Sequence, residues 1–277
     1  MSVPVSLRRR LASSLVSAIG LCFALVTAGC MDMESGVTFN KDLTGKATFK
    51  MTMDMEPFVM NMLQMQNKAQ GKTSVPTAQE LEAMSAGMMS QLGDGMIDVA
   101  TLKNTLPPGV TLVDSNQTPE GLKLRMNFTF AFTDATKLPL IALSPNSRIA
   151  AAGATGGGKP LKPFESLEFT DEGATMLIAS KAPAVPAAGV DPAKAKADAL
   201  AGIDSSKAQL DQLGMGGMLQ DMKVRVAFRF DVQFTVVEHN APAKDGTTYM
   251  WEMKIDSLDS IDKLPTPPSM KLRFNKK

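Results

Sequence analysis

The chain predicts an α+β fold: a mainly antiparallel β-sheet built from hairpins, with one face covered by Met-rich amphipathic helices. Three observations carry that expectation. Apolar and polar residues alternate with a period of two in several paired stretches, as strands with one wet face require. Between the first and second of those pairs the apolar spacing changes to steps of three and four, the period of a helix. The links within pairs are short and contain Gly, Asn or Asp, which favours antiparallel neighbours over long parallel crossovers.

The first pair lies in Gly36–Met55. Val37 and Phe39 alternate with polar partners, and Ala47, Phe49, Met51 and Met53 do the same after a turn over Lys41–Gly45. Gly45 is read as the residue that gives this turn its permissive backbone. Pro57 then opens a helical stretch, PFVMNMLQMQNKAQG, which closes near Gly71. A second helix starts at Thr77, where Thr77 and Glu80 form a capping box, and Leu81, Met84, Met88 and Leu92 make one apolar stripe. A short helix is expected within Met96–Leu106, stopped by Pro107 and Pro108.

The second pair contains the clearest strand, with Leu122, Leu124, Met126, Phe128, Phe130 and Phe132 on one side and Lys123, Arg125, Asn127 and Thr129 on the other. A third pair spans Glu165–Phe169 and Ala174–Ser180 around Asp171-Glu172-Gly173. A fourth joins one long strand, Lys223–Val237, to Thr247–Ile255. Two segments read as flexible or low-complexity: about 144–163, with its AAAGATGGGKP run, and about 181–204, rich in Ala and Pro. A helix is expected at Ser205–Met222, and the tail after Leu264 reads as Pro-rich and basic with no membrane span.

The beginning of the chain is a different kind of segment. Arg8, Arg9 and Arg10 precede an uncharged apolar run from Leu11 to Val26, and Thr27, Ala28 and Gly29 lead to Cys30. This is the layout of a secretory signal over residues 1–29, with flanks and length wrong for a stable span. A cysteine directly after small residues resembles the lipobox of bacterial lipoproteins, with Thr27 in place of the usual aliphatic residue. That resemblance implies a diacylglyceryl thioether on Cys30, cleavage before it and acylation (palmitate-type) of the new amine. Each buried CH₂ contributes roughly 0.8 kcal/mol, so two or three chains hold a protein on a bilayer. Met31, rather than Asp, follows the cysteine; by resemblance to enterobacterial sorting this implies the periplasmic face of an outer membrane, if the cell has two membranes.

Cleavage would leave 248 of the 277 residues as one mature α+β domain, 30–277, or two small ones. It takes away three arginines and no acid, so the formal charge falls from +1 to −2. That balance gives no reason to expect nucleic acid. Cys22 leaves with the signal and Cys30 is consumed by lipid, so no disulfide is expected and the fold rests on its core.

The order of features resembles the LppM-type bacterial lipoproteins. The residues that carry this are the lipobox, the polar hairpin with its Gly turn and the helical segment. They also include the Leu106-Pro-Pro-Gly-Val110 strand entry, Phe132-Thr-Asp-Ala135 and the Trp-bearing return strand in Val236–Lys254. The resemblance implies a βαβ-containing envelope lipoprotein, similar to lipid-binding folds, with no catalytic residues to carry over. Many such proteins have a C-terminal transmembrane helix, which the tail here does not resemble, so the lipid is expected to be the covalent anchor.

No enzyme is inferred. The single His239 sits in a turn with no nucleophile or metal-ligand partner nearby in sequence. Gly153–Lys159 lacks the spacing of a phosphate loop and is followed by Pro160 rather than Ser or Thr. No cofactor is expected. The chain has 21 Met against one His, one Trp and one Tyr. Thioethers suit Cu(I), so Met51, Met53, Met55, Met60, Met62 and Met65 raise a minor copper reading. Met equally fills cores and lines adaptable apolar grooves. The expected function is a non-catalytic, lipid-anchored envelope protein whose groove, lined by Met60, Leu63, Met84 and Met88, binds a lipid or other hydrophobic molecule. The alternative is an assembly lipoprotein engaging another envelope protein.

Overall fold

A computed structural model describes residues 30–71, 75–92, 96–144, 160–181, 223–255 and 269–277. The expected signal segment, the expected Ser205–Met222 helix and most of the two segments expected to be low-complexity lie outside the described residues. The described elements form the expected α+β fold, with two sheets of mainly antiparallel strands and a few short helices.

The large sheet has seven strands. β1 (Cys30–Phe39) and β2 (Gly45–Asp54) form a hairpin, and β2 pairs with β4 (Lys123–Phe132), which pairs with β3 (Val110–Glu120). On its other edge β1 runs parallel to β7 (Val224–Val232), which pairs antiparallel with β10 (Thr248–Ile255), and β10 with β9 (Ala243–Asp245). The second sheet is β5 (Leu167–Asp171), β6 (Thr175–Ser180), β11 (Lys271–Asn275) and β8 (Val236–His239) in that spatial order.

Alternation decides which residues face inward. Val37 and Phe39, Phe49 and Met51, Phe128 and Phe130, and Phe230 and Trp251 are buried on one face of the large sheet. The second sheet meets them with Phe169, Ile178, Leu272 and Phe274, in one continuous core. The rings of Phe39 and Phe274 pack 5.3 Å apart across the two sheets. Ser35, buried on the inner face of β1, satisfies its hydroxyl by donating to the carbonyl of Pro163 at 3.1 Å.

The helices sit elsewhere than expected. α1 (Glu56–Ala69) and α2 (Ala78–Leu92) do form, and α2 carries the reciprocal cap: the Thr77 amide donates to Glu80 at 2.7 Å and the Glu80 amide to Thr77 Oγ1 at 3.3 Å. Among the described residues, however, they do not cover the sheet. Val59 and Leu63 pack with Leu122 at the β3–β4 tip, flanked by Met55, Leu81 and Met84, as a cluster separate from the main core. The sheet's apolar face is covered by the second sheet together with α3 (Val99–Thr105) and a 3₁₀ turn at Ala135–Leu140, which contribute Leu102 and Leu138.

Three further expectations change. The long strand Lys223–Val237 is two: β7 stays in the large sheet, and the chain crosses at Gln233–Thr235 so that β8 enters the second. Phe234 stays in contact with the core through this bend, stacked on Phe274 at 5.3 Å, so the alternation shows no break. The tail supplies β11, which lies between β6 and β8. At the first hairpin the left-handed residue is Leu43 (φ 67), and Gly45 already belongs to β2.

Asn240 ties the two sheets where β8 ends. Its Oδ1 accepts from the Trp251 indole at 3.2 Å and from the Lys271 amide at 2.8 Å, and its Nδ2 donates to the Ser269 carbonyl at 2.5 Å. Asn240→Ala strands the indole N–H of a tryptophan that is 1% exposed. The expected loss is about 2 kcal/mol, the desolvation cost of an unpaired buried donor. A urea titration followed by the emission of this one tryptophan checks it: the midpoint falls and the slope stays.

Candidate functional site

Cys30 is the first residue of β1, half-buried, at one end of the large sheet. Strand registry places it in a row with Asp54, Lys123 and Glu120 across β2, β4 and β3. Two residues along, on the same outward face, the next row is Thr118, Arg125, Thr52, Asp32, Arg225 and Lys254. Without the β3 residues Thr118 and Glu120, and together with Lys223, these rows line an open concavity of about 410 Å³ whose charged members are Lys123, Arg125, Lys223, Arg225, Lys254, Asp32 and Asp54.

Ion pairs order this surface. Arg225 reaches Asp32 at 2.7 Å and also bonds Glu252, which Lys254 approaches at 3.0 Å. Lys123 pairs with Asp54 at 3.2 Å and Arg125 with Glu120 at 3.2 Å. The bond from Glu252 raises the Arg225 pKa, burial opposes it, and the bond from Asp32 adds to the rise. Arg225, followed by Lys254, holds the Glu252 carboxyl below the usual range. Lys123, Arg125 and Lys254 keep about half their side-chain surface in solvent (46%, 59% and 58%), so their charge is available to a partner.

The residues expected to line an apolar groove are divided. Leu63 is buried in the small α1–α2 cluster, Met84 packs against that cluster, and Met60 is half-buried on α1. Met88 lies on α2, and its side chain is outside the described residues. Of the methionines weighed for copper, Met51 and Met53 are buried in the main core at 2% and 5% exposure, and Met55 flanks the small cluster. Among the described residues no group of three or more His, Cys, Asp or Glu side chains is placed to hold a metal.

The acids of the second sheet are structural ties. Glu238 bonds Lys271 at 2.6 Å and Arg273 at 2.7 Å, Glu172 bonds Arg273 at 3.0 Å, and Asp171 bonds Lys276 at 2.6 Å. Those bonds hold all three carboxyls below their ordinary values, Lys271 first for Glu238, Arg273 first for Glu172 and Lys276 first for Asp171. His239 is exposed and packs edge-on to Tyr249, ring centres 4.8 Å apart. The Gly153–Lys159 run lies outside the described residues.

No family model matches the chain, and no curated protein matches it. Among solved structures, the NMR structure of the folded domain of LppM from Mycobacterium tuberculosis is similar over 89% of this chain and 91% of that one, at 10% identity and a TM-score of 0.36. LppM is the type of lipoprotein that the sequence pattern resembles. At that distance the likeness carries no argument about what this chain does.

The basic concavity is what sequence reading missed. Its cations come from β4, β7 and β10, far apart in the chain, and only strand registry collects them. The available signal was the alternation that put Lys123, Arg125, Arg225 and Lys254 on the wet faces of their strands.

Proposed function

We propose that this chain is a non-catalytic cell-envelope lipoprotein, acylated on Cys30, whose helical pair takes a lipid or another apolar ligand. The observation that carries the reading is the place of the motif cysteine. Cys30 opens β1 at the rim of the sheet beside an open concavity, so an acyl group on its sulfur can leave the fold without entering the packed core. If the cell has two membranes, Met31 after the cysteine favours the periplasmic face of the outer one.

The ligand half of the proposal rests on the α1–α2 cluster. Among the described residues its buried apolar members are Val59, Leu63 and Leu122, apart from the main core. Asn67 on α1 is buried, and its Nδ2 has no partner among the described residues, which weakens the closed packing. Met60 and Met84 are half-buried on this helical pair, where their flexible thioethers can repack around an apolar molecule.

Mass spectrometry of the protein from its native host tests both halves. The expected result is a chain beginning at Cys30 with diacylglyceryl and acyl mass on it, and bound lipid that survives gentle ionisation. Cys30→Ala is expected to leave the membrane fraction. An unmodified sulfur, or a Cys30→Ala protein that stays membrane-bound, overturns the anchor. Acylated protein without bound lipid overturns the ligand half and favours an assembly role with another envelope protein.

A further inference from the structure

We propose that the basic end of the large sheet is a docking surface for the anionic headgroups of the bilayer that receives the Cys30 lipid; its orientation rests on the reading of Cys30 as the anchor. The charge on the wet face is sorted along the strands. Lys123, Arg125, Lys223, Arg225 and Lys254 fall in the concavity beside Cys30, against Asp32 and Asp54 within it and Glu120 at its edge. The next outward row is acidic, with Glu34 and Glu252 against Lys50. Arg229, one row further, pairs back to Glu34 at 3.0 Å, so among the described residues of this face the positive excess lies at the end from which an anchor would emerge.

Distance makes this arrangement effective. Along the strand direction the row of Arg125, Arg225 and Lys254 is two residues beyond Cys30, about 7 Å at the usual rise, with Arg125 and Lys254 two strands to either side. With the Cys30 end of the sheet against the bilayer, that depth is within one Debye length, about 8 Å at physiological ionic strength, so these cations lie within reach of the surface potential. The mature chain would carry a formal −2, so whole-body attraction cannot produce binding and the local excess must. Two or three acyl chains already hold the protein at the bilayer, so the basic patch is needed for orientation and not for retention: it sets which end of the sheet faces the headgroups. Among the described residues Lys123, Arg125 and Lys254 each have one ion-pair partner, and their half-exposed heads can turn a further donor to lipid phosphate without leaving that carboxylate.

The test separates the surface from the anchor by removing the acylated atom. The mature chain, residues 30–277 with Cys30→Ser, is mixed with vesicles of phosphatidylcholine alone and of phosphatidylcholine with phosphatidylglycerol, and binding is read by co-sedimentation. Binding is expected only to the anionic vesicles and is expected to weaken as salt rises. Each cation near an anionic surface contributes about five-fold in affinity, so Lys123→Gln, Arg125→Gln and Lys254→Gln together should lower it on the order of a hundred-fold. The control variant Lys41→Gln, Lys46→Gln and Lys244→Gln, at the opposite end of the sheet, should bind as the parent does. An unchanged Trp251 emission and urea midpoint show that each variant is folded. Equal binding to neutral and anionic vesicles, a basic-end variant that binds like the parent, or displacement by millimolar inorganic phosphate overturns the surface. If the vesicles bind as expected while native Cys30 proves unacylated, the surface stands and the anchor fails.

Discussion

Gly45→Ala is expected to destabilise the protein by about 3 kcal/mol or more, at the upper end of what one added methyl does in a packed core. A Cβ on Gly45 would lie 2.1 Å from the Thr38 carbonyl oxygen and 2.6 Å from the Phe132 ring. Neither neighbour can yield. Thr38 belongs to β1, whose next residue pairs with Gly45 itself, and Phe132 is 2% exposed in the core. Relief requires the β1–β2 ladder to open at its hairpin end or the Phe132 ring to leave its contact with Phe39, 5.6 Å between centroids. Single domains have only about 5–15 kcal/mol in total, so a fall of this size is a large share. Urea unfolding followed by Trp251 emission measures it. Gly87→Ala is the matched control: it is exposed on α2 with nothing among the described residues within 4 Å of a new Cβ, and alanine is the better helix former by about 1 kcal/mol. If Gly45→Ala unfolds at the parent's midpoint, the close approach of β1, β2 and Phe132 is wrong.

Gly45 also shows where sequence reasoning stops. Its presence next to a turn was legible, and assigning it to turn flexibility was the natural inference. The real demand is for space, set by Phe132, which is remote in sequence. The same division runs through the fold. Local signals were read well: the capping box of Thr77 and Glu80, the stop of α3 before Pro107, and the alternation in β2 and β4 all depend on residues a few positions apart. Non-local pairings were not legible. The parallel contact of β1 with β7 joins residues nearly two hundred positions apart, and nothing in either strand's own pattern specifies the other. For the candidate site, Cys30 could be singled out from the residues before it, whereas its basic surroundings required the register of five strands. The helices formed where their spacing predicted, but periodicity tells which side of a helix is apolar and not which surface that side will meet. That is how Leu63 and Met84, expected at a groove over the sheet, come to lie in a small cluster with Leu122.

Phe274→Ala is expected to have an effect as large as Gly45→Ala, by the opposite route of removing volume. Phe274 is fully buried in β11, and its ring lies 5.3 Å from both Phe39 of the large sheet and Phe234 at the crossing between sheets. Truncating a buried phenylalanine costs about 3–5 kcal/mol, and the lost aromatic pairs belong to that total. β11 lies between β6 and β8, and its Arg273 also joins Glu172 to Glu238, so loosening this strand loosens both of its neighbours. The midpoint of thermal unfolding should fall well below that of Phe274→Leu, which keeps most of the volume and should cost less than about 1.5 kcal/mol. Hydrogen exchange distinguishes a local from a global loss: amides of β6 and β8 should lose protection before those of β2 and β4, which keep each other as partners. A Phe274→Ala protein within about 1 kcal/mol of the parent would mean that the last strand only decorates the second sheet and does not bind it to the first.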